Sequence, residues 1–183
     1  GWLLGHSFDL QENLEGQLLA SVLLENSASP LMRALETTDI GHSPAPMCGL
    51  EDSNREMTFV CGIEGSDPER KDDLEALIEQ TLAKVVEEGV SEDRLEAILH
   101  QLELHQREIA GDSFPYGLQL IMTAISPMVH GGDPVELLGL EPVLADMREK
   151  IRDPQYVPGL ILRKLLENPH LVTLTLRPDD KLE

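Results

Sequence analysis

Three side chains able to bind a metal crowd into one short stretch: His100, Glu103 and His105, in the order His-Gln-Leu-Glu-Leu-His. Two imidazoles and a carboxylate form a zinc donor set, and a nearby glutamate is the usual general base for zinc-assisted hydrolysis. The spacing argues against that chemistry. A helix turns about 100° per residue, so His100 and His105 point about 140° apart. Helices that hold zinc through two histidines place them four residues apart on one face, whichever way the His-Glu pair runs. The stretch reads instead as a solvated helix face with Glu96–His100 and Glu103–Arg107 pairs at helical spacing. No metal ligand, catalytic residue or cofactor-binding residue is assigned from this sequence.

Nucleophilic chemistry has no better foothold. The Gly-x-Ser-x-Gly elbow does not occur, and neither Cys48 nor Cys61 stands at a helix N-terminus that would lower its pKa. The two cysteines lie on neighbouring strands, where small core-facing hydrophobes are the expected role and a redox pair or half a metal site is the alternative. Gly131-Gly132 is an isolated pair without a phosphate-loop lysine. His6, His42, His130 and His170 fall in loops or at element ends and are expected to face solvent.

The charge balance narrows the partners. The 183 residues carry 14 Lys and Arg against 34 Asp and Glu, a net charge of −20, which opposes both a phosphate backbone and an anionic membrane surface. Between Asp67 and Glu96 there are eleven acidic and four basic side chains. They fall mostly between apolar helix positions and read as a solvated outer face; the other reading is that Glu75, Glu79, Glu87 and Glu88 attract basic peptides. The longest apolar stretch, Leu18 to Leu24, is far short of the roughly 20 residues that span a bilayer. Two cysteines fit a reducing compartment, the cytoplasm or alternatively an organelle matrix. The chain opens Gly-Trp-Leu-Leu-Gly without Met and closes on Lys181-Leu182-Glu183, where Leu-Glu reads as a vector scar. A piece of a longer protein is expected, with residues 1–178 as one domain and 179–183 as a tail.

The elements that must position these residues are marked by caps and periods. Asp9, with Glu12 three residues on, starts a helix that runs to about Asn26 and buries several sides. Ser29-Pro30 starts a shorter helix through Leu35, and Gly41 to Pro46 is a loop. Met57, Phe59, Cys61 and Ile63 alternate with Glu56, Thr58, Val60 and Gly62 as a strand, joined to Met47–Leu50 by a turn at Glu51–Asn54. Ser66-Asp67-Pro68-Glu69 opens a helix with Leu74, Leu77, Ile78, Leu82 and Val85 inward. Gly89 ends it, and Ser91 caps the next, which uses Leu95, Ile98, Leu99, Leu102 and Ile109. After a turn at Asp112–Gly117, where Tyr116 is expected to pack structurally, come helices over Leu118–Met128, Val143–Ile151 and Tyr156–Leu166. His170 to Arg177 alternates again and predicts a closing strand. Strands toward both ends with helices between predict an α+β fold: an antiparallel sheet with helices packed on one face.

Several segments, taken in order, carry a resemblance. They are Trp2-Leu3-Leu4-Gly5, Glu25-Asn26-Ser27-Ala28-Ser29-Pro30-Leu31, Gly49-Leu50-Glu51-Asp52-Ser53-Asn54, His100 through Glu108, Phe114-Pro115-Tyr116-Gly117-Leu118 and His130-Gly131-Gly132-Asp133-Pro134. Together they resemble the presequence-protease branch of the insulinase/pitrilysin zinc metallopeptidases across nearly the whole chain. The resemblance implies a two-half enzyme with paired α+β domains closing around unfolded peptides, and it places this chain as the second domain of the N-terminal half. The family's His-x-x-Glu-His zinc helix occurs nowhere in these 183 residues. The implied role is therefore a non-catalytic chamber wall, whose partners are the catalytic domain and C-terminal half of the same polypeptide and unfolded peptide substrates. Zinc would belong to the parent protein. The alternative is a free-standing acidic peptide- or protein-binding module.

Overall fold

The computed structural model describes residues 1–107, 115–135 and 139–178. The expectations for Ile109, for the turn from Asp112 to Phe114 and for the tail 179–183 fall outside the described residues, as do those for the side chains of His105, Arg107 and Tyr116. Among the described residues β1 (Trp2–His6), β4 (Glu56–Val60) and β3 (Gly49–Glu51) form an antiparallel sheet in the order β1-β4-β3. Trp2 lies opposite Phe59, and Leu50 shares that rung from the other side. Alternation sends Trp2, Met57 and Phe59 to one buried face. The helices α1 (Leu10–Leu24), α2 (Pro30–Thr37), α3 (Lys71–Glu88), α4 (Glu92–Arg107), α6 (Leu140–Lys150) and α7 (Tyr156–Ile161) supply the rest of the core. The α+β class follows.

Helix α1 is the axis of this core, in contact with the sheet and with α2, α4, α6 and α7. Leu14, Leu18, Leu19, Val22 and Leu23 are all fully buried, which explains an apolar pattern wider than one stripe. Its N-terminus differs from a reciprocal capping box. Asp9 Oδ1 accepts from the Glu12 N–H as expected, but the Glu12 carboxylate accepts from the His6 N–H at 2.6 Å. The second half of the box thus ties the helix to the end of β1. Gly16 lets α1 approach β3: a Cβ there would stand 3.2 Å from both Leu50 methyls.

Other boundaries also moved. Helix α2 starts after Ser29, but the Ser29 hydroxyl is not a cap for it. It accepts from Arg94 on α4 instead. Asp67, not Ser66, caps the turn Pro68–Arg70 that leads into α3, and Gly89 ends α3 with φ 71°. The predicted loop from Gly41 to Pro46 contains β2 (Ser43–Pro44), which pairs with β5 (Ile63–Glu64) in a separate two-stranded ribbon. The long strand predicted through Ile63 is therefore broken at Cys61-Gly62. The predicted closing strand is reduced to one bridge, Leu171 opposite Trp2, with backbone bonds between Val172 and Gly1 and no strand from there to Pro178. Helix α5 (Tyr116–Val129) has an apolar stripe, Leu118, Ile121, Met122, Ile125, Met128 and Val129, that is exposed. Apolar content alone suggested a helix there and said nothing of what covers it.

Candidate functional site

A shallow groove of about 450 Å³ runs between α3, the π-helical turn Leu162–Leu166 that continues α7, and the Trp2–Leu171 bridge. Burying one face of Trp2 against Phe59, with ring centroids 6.0 Å apart, leaves its far edge on the groove floor beside Leu165 and Leu171. The polar groups on the rim are few. Asn168 is committed, since its amide nitrogen donates to the carbonyls of Leu3 and Lys164. Glu79 and Gln80 on α3 are exposed. This is an apolar furrow with one free carboxylate, a surface able to hold a side chain and lacking the groups that break a bond.

The one cluster that invited metal chemistry is occupied by cations. His100 lines a second depression of about 240 Å³ together with Glu96, Arg148 and Arg152. Glu103 is engaged by the Arg148 guanidinium from α6, a partner 45 residues away. The expected Glu96–His100 pair does not form an ion pair. Two guanidinium groups beside the imidazole repel a divalent cation, so these residues do not fit zinc. Among the described residues no three His, Cys, Asp or Glu side chains converge to hold a metal ion.

The remaining histidines are placed individually. His6 stacks on Phe8 at 5.0 Å. His130 Nε2 lies 3.2 Å from the Ser53 carbonyl and pins the chain after α5 to the β3–β4 turn. His42 packs against Gly65, where φ is 70° and a Cβ would stand 2.5 Å from the imidazole Nδ1.

The thiols are both free. The Cys48 thiol lies 3.5 Å from the Gly62 carbonyl and accepts from the Gly62 N–H at 3.4 Å. Burial pushes the Cys48 thiol up. At Cys61 burial, reinforced by Cys48, pushes the pKa to about 12. Both shifts run opposite to what a nucleophile or redox thiol needs. Since the neutral thiol of Cys61 is favoured in the fold, its contribution to stability is complete below about pH 9 and is lost as pH rises toward 12. Iodoacetamide at pH 8 should alkylate Cys61 in the native chain at least about a hundredfold more slowly than in the urea-unfolded chain. Equal rates with an intact fold would show an activated thiol.

Much of the acidic face is tied into structure. Glu75 accepts from the Thr173 hydroxyl at 2.5 Å and pairs with Lys71, and the hydroxyl bond, ahead of Lys71, holds its pKa below the ordinary value. Glu88 pairs with Lys84. Sequence reasoning missed the polar cluster around Glu15, whose carboxylate accepts from the Tyr156 hydroxyl at 3.1 Å and pairs with Lys164 at 3.4 Å. Burial, followed by the Glu15 charge, raises the Tyr156 pKa. The partners lie 141 residues apart, and no local spacing announces such a pair.

An antiparallel sheet with a helical core packed on one face defines the architecture of this α+β domain. Residues 2–102 match the family described as the peptidase M16 inactive domain, and the chain belongs to that family. Its relatives include the mitochondrial presequence protease of Mus musculus, 31% identical over 98% of this chain. Presequence protease 1, chloroplastic/mitochondrial, of Arabidopsis thaliana is 33% identical over 97% of it, and the mitochondrial presequence protease of Xenopus tropicalis 29% over 98%. This chain spans 17% of the length of each. No helix among the described residues is long and apolar enough to cross a membrane.

Proposed function

We propose that residues 1–178 form a non-catalytic domain of a zinc metallopeptidase that degrades unstructured oligopeptides, where it lines part of the peptide chamber and supports the catalytic domain. The match to a domain described as inactive carries this reading. The exposed apolar stripe of α5 supports it, because a surface of that kind is normally covered by a partner. The partners would be the catalytic domain and C-terminal half of the same polypeptide, and zinc would be held by residues outside this chain. The relatives' names support the organelle-matrix alternative for its compartment.

The test compares this chain with the longer polypeptide containing it. After dialysis against a mild zinc competitor, the 183-residue chain should retain well under one zinc and leave an unstructured peptide uncut. The longer polypeptide should keep one zinc and cleave the peptide in a chelator-sensitive way. One equivalent of zinc with cleavage by the short chain would overturn the proposal.

A further inference from the structure

The β3–β4 register, carried one rung outward, sets the two cysteines opposite each other. Gly49 faces Val60 and Leu50 faces Phe59, so the next residues out are Cys48 and Cys61. Opposite residues of an antiparallel pair share a face, and this one is the face of Leu50 and Phe59. Both cysteines pack against the core that it carries. The Cys48 N–H is spent on the Ala45 carbonyl at 3.1 Å, as at a rung without its own pair of backbone bonds, where opposite α-carbons stand only about 4.5 Å apart. Disulfides bridge α-carbons about 4.4–6.8 Å apart. The Cys48 sulfur already reaches across, accepting at 3.4 Å from the N–H of Gly62, the residue after Cys61. Both thiols are free, and among the described residues no metal-binding cluster claims them. The rung is also where the sheet gives way to the β2–β5 ribbon, since the Ala45 N–H, just past β2, donates to the Gly62 carbonyl at 2.9 Å.

We propose that Cys48 and Cys61 are a latent disulfide site, closed by exchange with a low-molecular-weight disulfide such as glutathione disulfide, and that the bond fastens β3 to β4 without distorting the sheet. The Cys48 thiolate attacks one sulfur of the reagent, and the first glutathione leaves as a thiol once it takes up a proton. Cys61 then gives up its proton and its sulfur displaces the second glutathione from Cys48. Two protein thiols lose two electrons and become one S–S bond, while the reagent is reduced to two thiols. The first attack falls to Cys48, because a pKa of about 12 leaves Cys61 almost no thiolate near neutral pH. Burial of both thiols slows the exchange but does not oppose its product. Strongly oxidising disulfides are those whose reduced form is stabilised, and nothing here stabilises either thiolate enough to offset burial. The site thus forms slowly and, once closed, holds as a structural bond. It does not depend on the domain's place in a peptidase.

Glutathione redox buffers applied to the 183-residue chain, native and in urea, test this. Each equilibrium is reached from both the reduced and the linked chain, so that slow exchange does not decide the outcome, and the fraction joining Cys48 to Cys61 is read by peptide mass mapping after acid quenching. Whatever stability the bond adds to the fold, the fold adds to the bond. An unstrained bond closing a loop of roughly 15 residues should therefore raise the equilibrium constant for linkage about a hundredfold in the native chain over its value in urea. The Tm of the linked chain should rise by on the order of 5–10 °C. An equal or smaller constant in the native chain would overturn the proposal, as would a Tm that is unchanged or lower. Glutathione held on both cysteines, or a bond between two copies, as the main native product would overturn it too.

Discussion

Phe59→Ala should lower stability by roughly 3–5 kcal/mol and the Tm by on the order of 10 °C. The ring is fully buried at the centre of the sheet, on the rung shared by Trp2 and Leu50, and faces the helical core. Its removal leaves a cavity between rigid elements that cannot close over it, and a marginally stable domain has about 5–15 kcal/mol in total. Met47→Ala is the control. That side chain is 77% exposed, and the change should stay within about 0.5 kcal/mol. A Tm within 2 °C of the parent for Phe59→Ala would mean that the sheet is not seated on this core.

The second large effect is expected at Arg94. Its Nη2 donates to the Val22 carbonyl at 3.0 Å and to the Ser29 hydroxyl at 3.3 Å. Val22 belongs to the last turn of α1, whose carbonyls have no partner within the helix. The Ser29 side chain is itself buried at the start of α2, so one guanidinium joins α4 to the end of one helix and the beginning of another. Arg94→Met should cost about 1.5–3 kcal/mol, the range for a hydrogen bond from a charged donor. Ser29→Ala should cost less in the Arg94→Met background than alone, because the two share a bond. Strict additivity of the two changes in chemical denaturation would show that the bond carries no coupling.

Local signals in the sequence located most elements because each is controlled by a few neighbouring residues. Asp9 and Gly89 mark helix ends whose geometry they directly create, and the alternation at Met57 and Phe59 reports one buried face. The misses share a different cause. Ser43-Pro44 has no strand composition and becomes β2 only because Ile63-Glu64 lies beside it. His170 to Arg177 alternates like a strand, yet alternation describes a face and not an edge, and the backbone pairing runs only from His170 to Val172. Glu103 also meets Arg148 on α6, a partner that helical spacing could not announce. The cluster at Glu15, Tyr156 and Lys164 was not legible, because tertiary folding alone brings those residues together.

The Trp2–Leu171 bridge has a consequence for how the chain is made. Trp2 is synthesised well before Leu171; at about 5–20 residues per second, roughly ten to thirty seconds separate them. During that interval β1 can pair with β4 and α1 can collapse on both, but the far edge of β1 stays open. Closing a loop of this length adds only a slowly growing entropy cost, so the delay is set by translation. A pause between the two would lengthen the time for which Leu3 and the floor of the groove stand uncovered, and newly made chains would then be open to edge-to-edge association with one another.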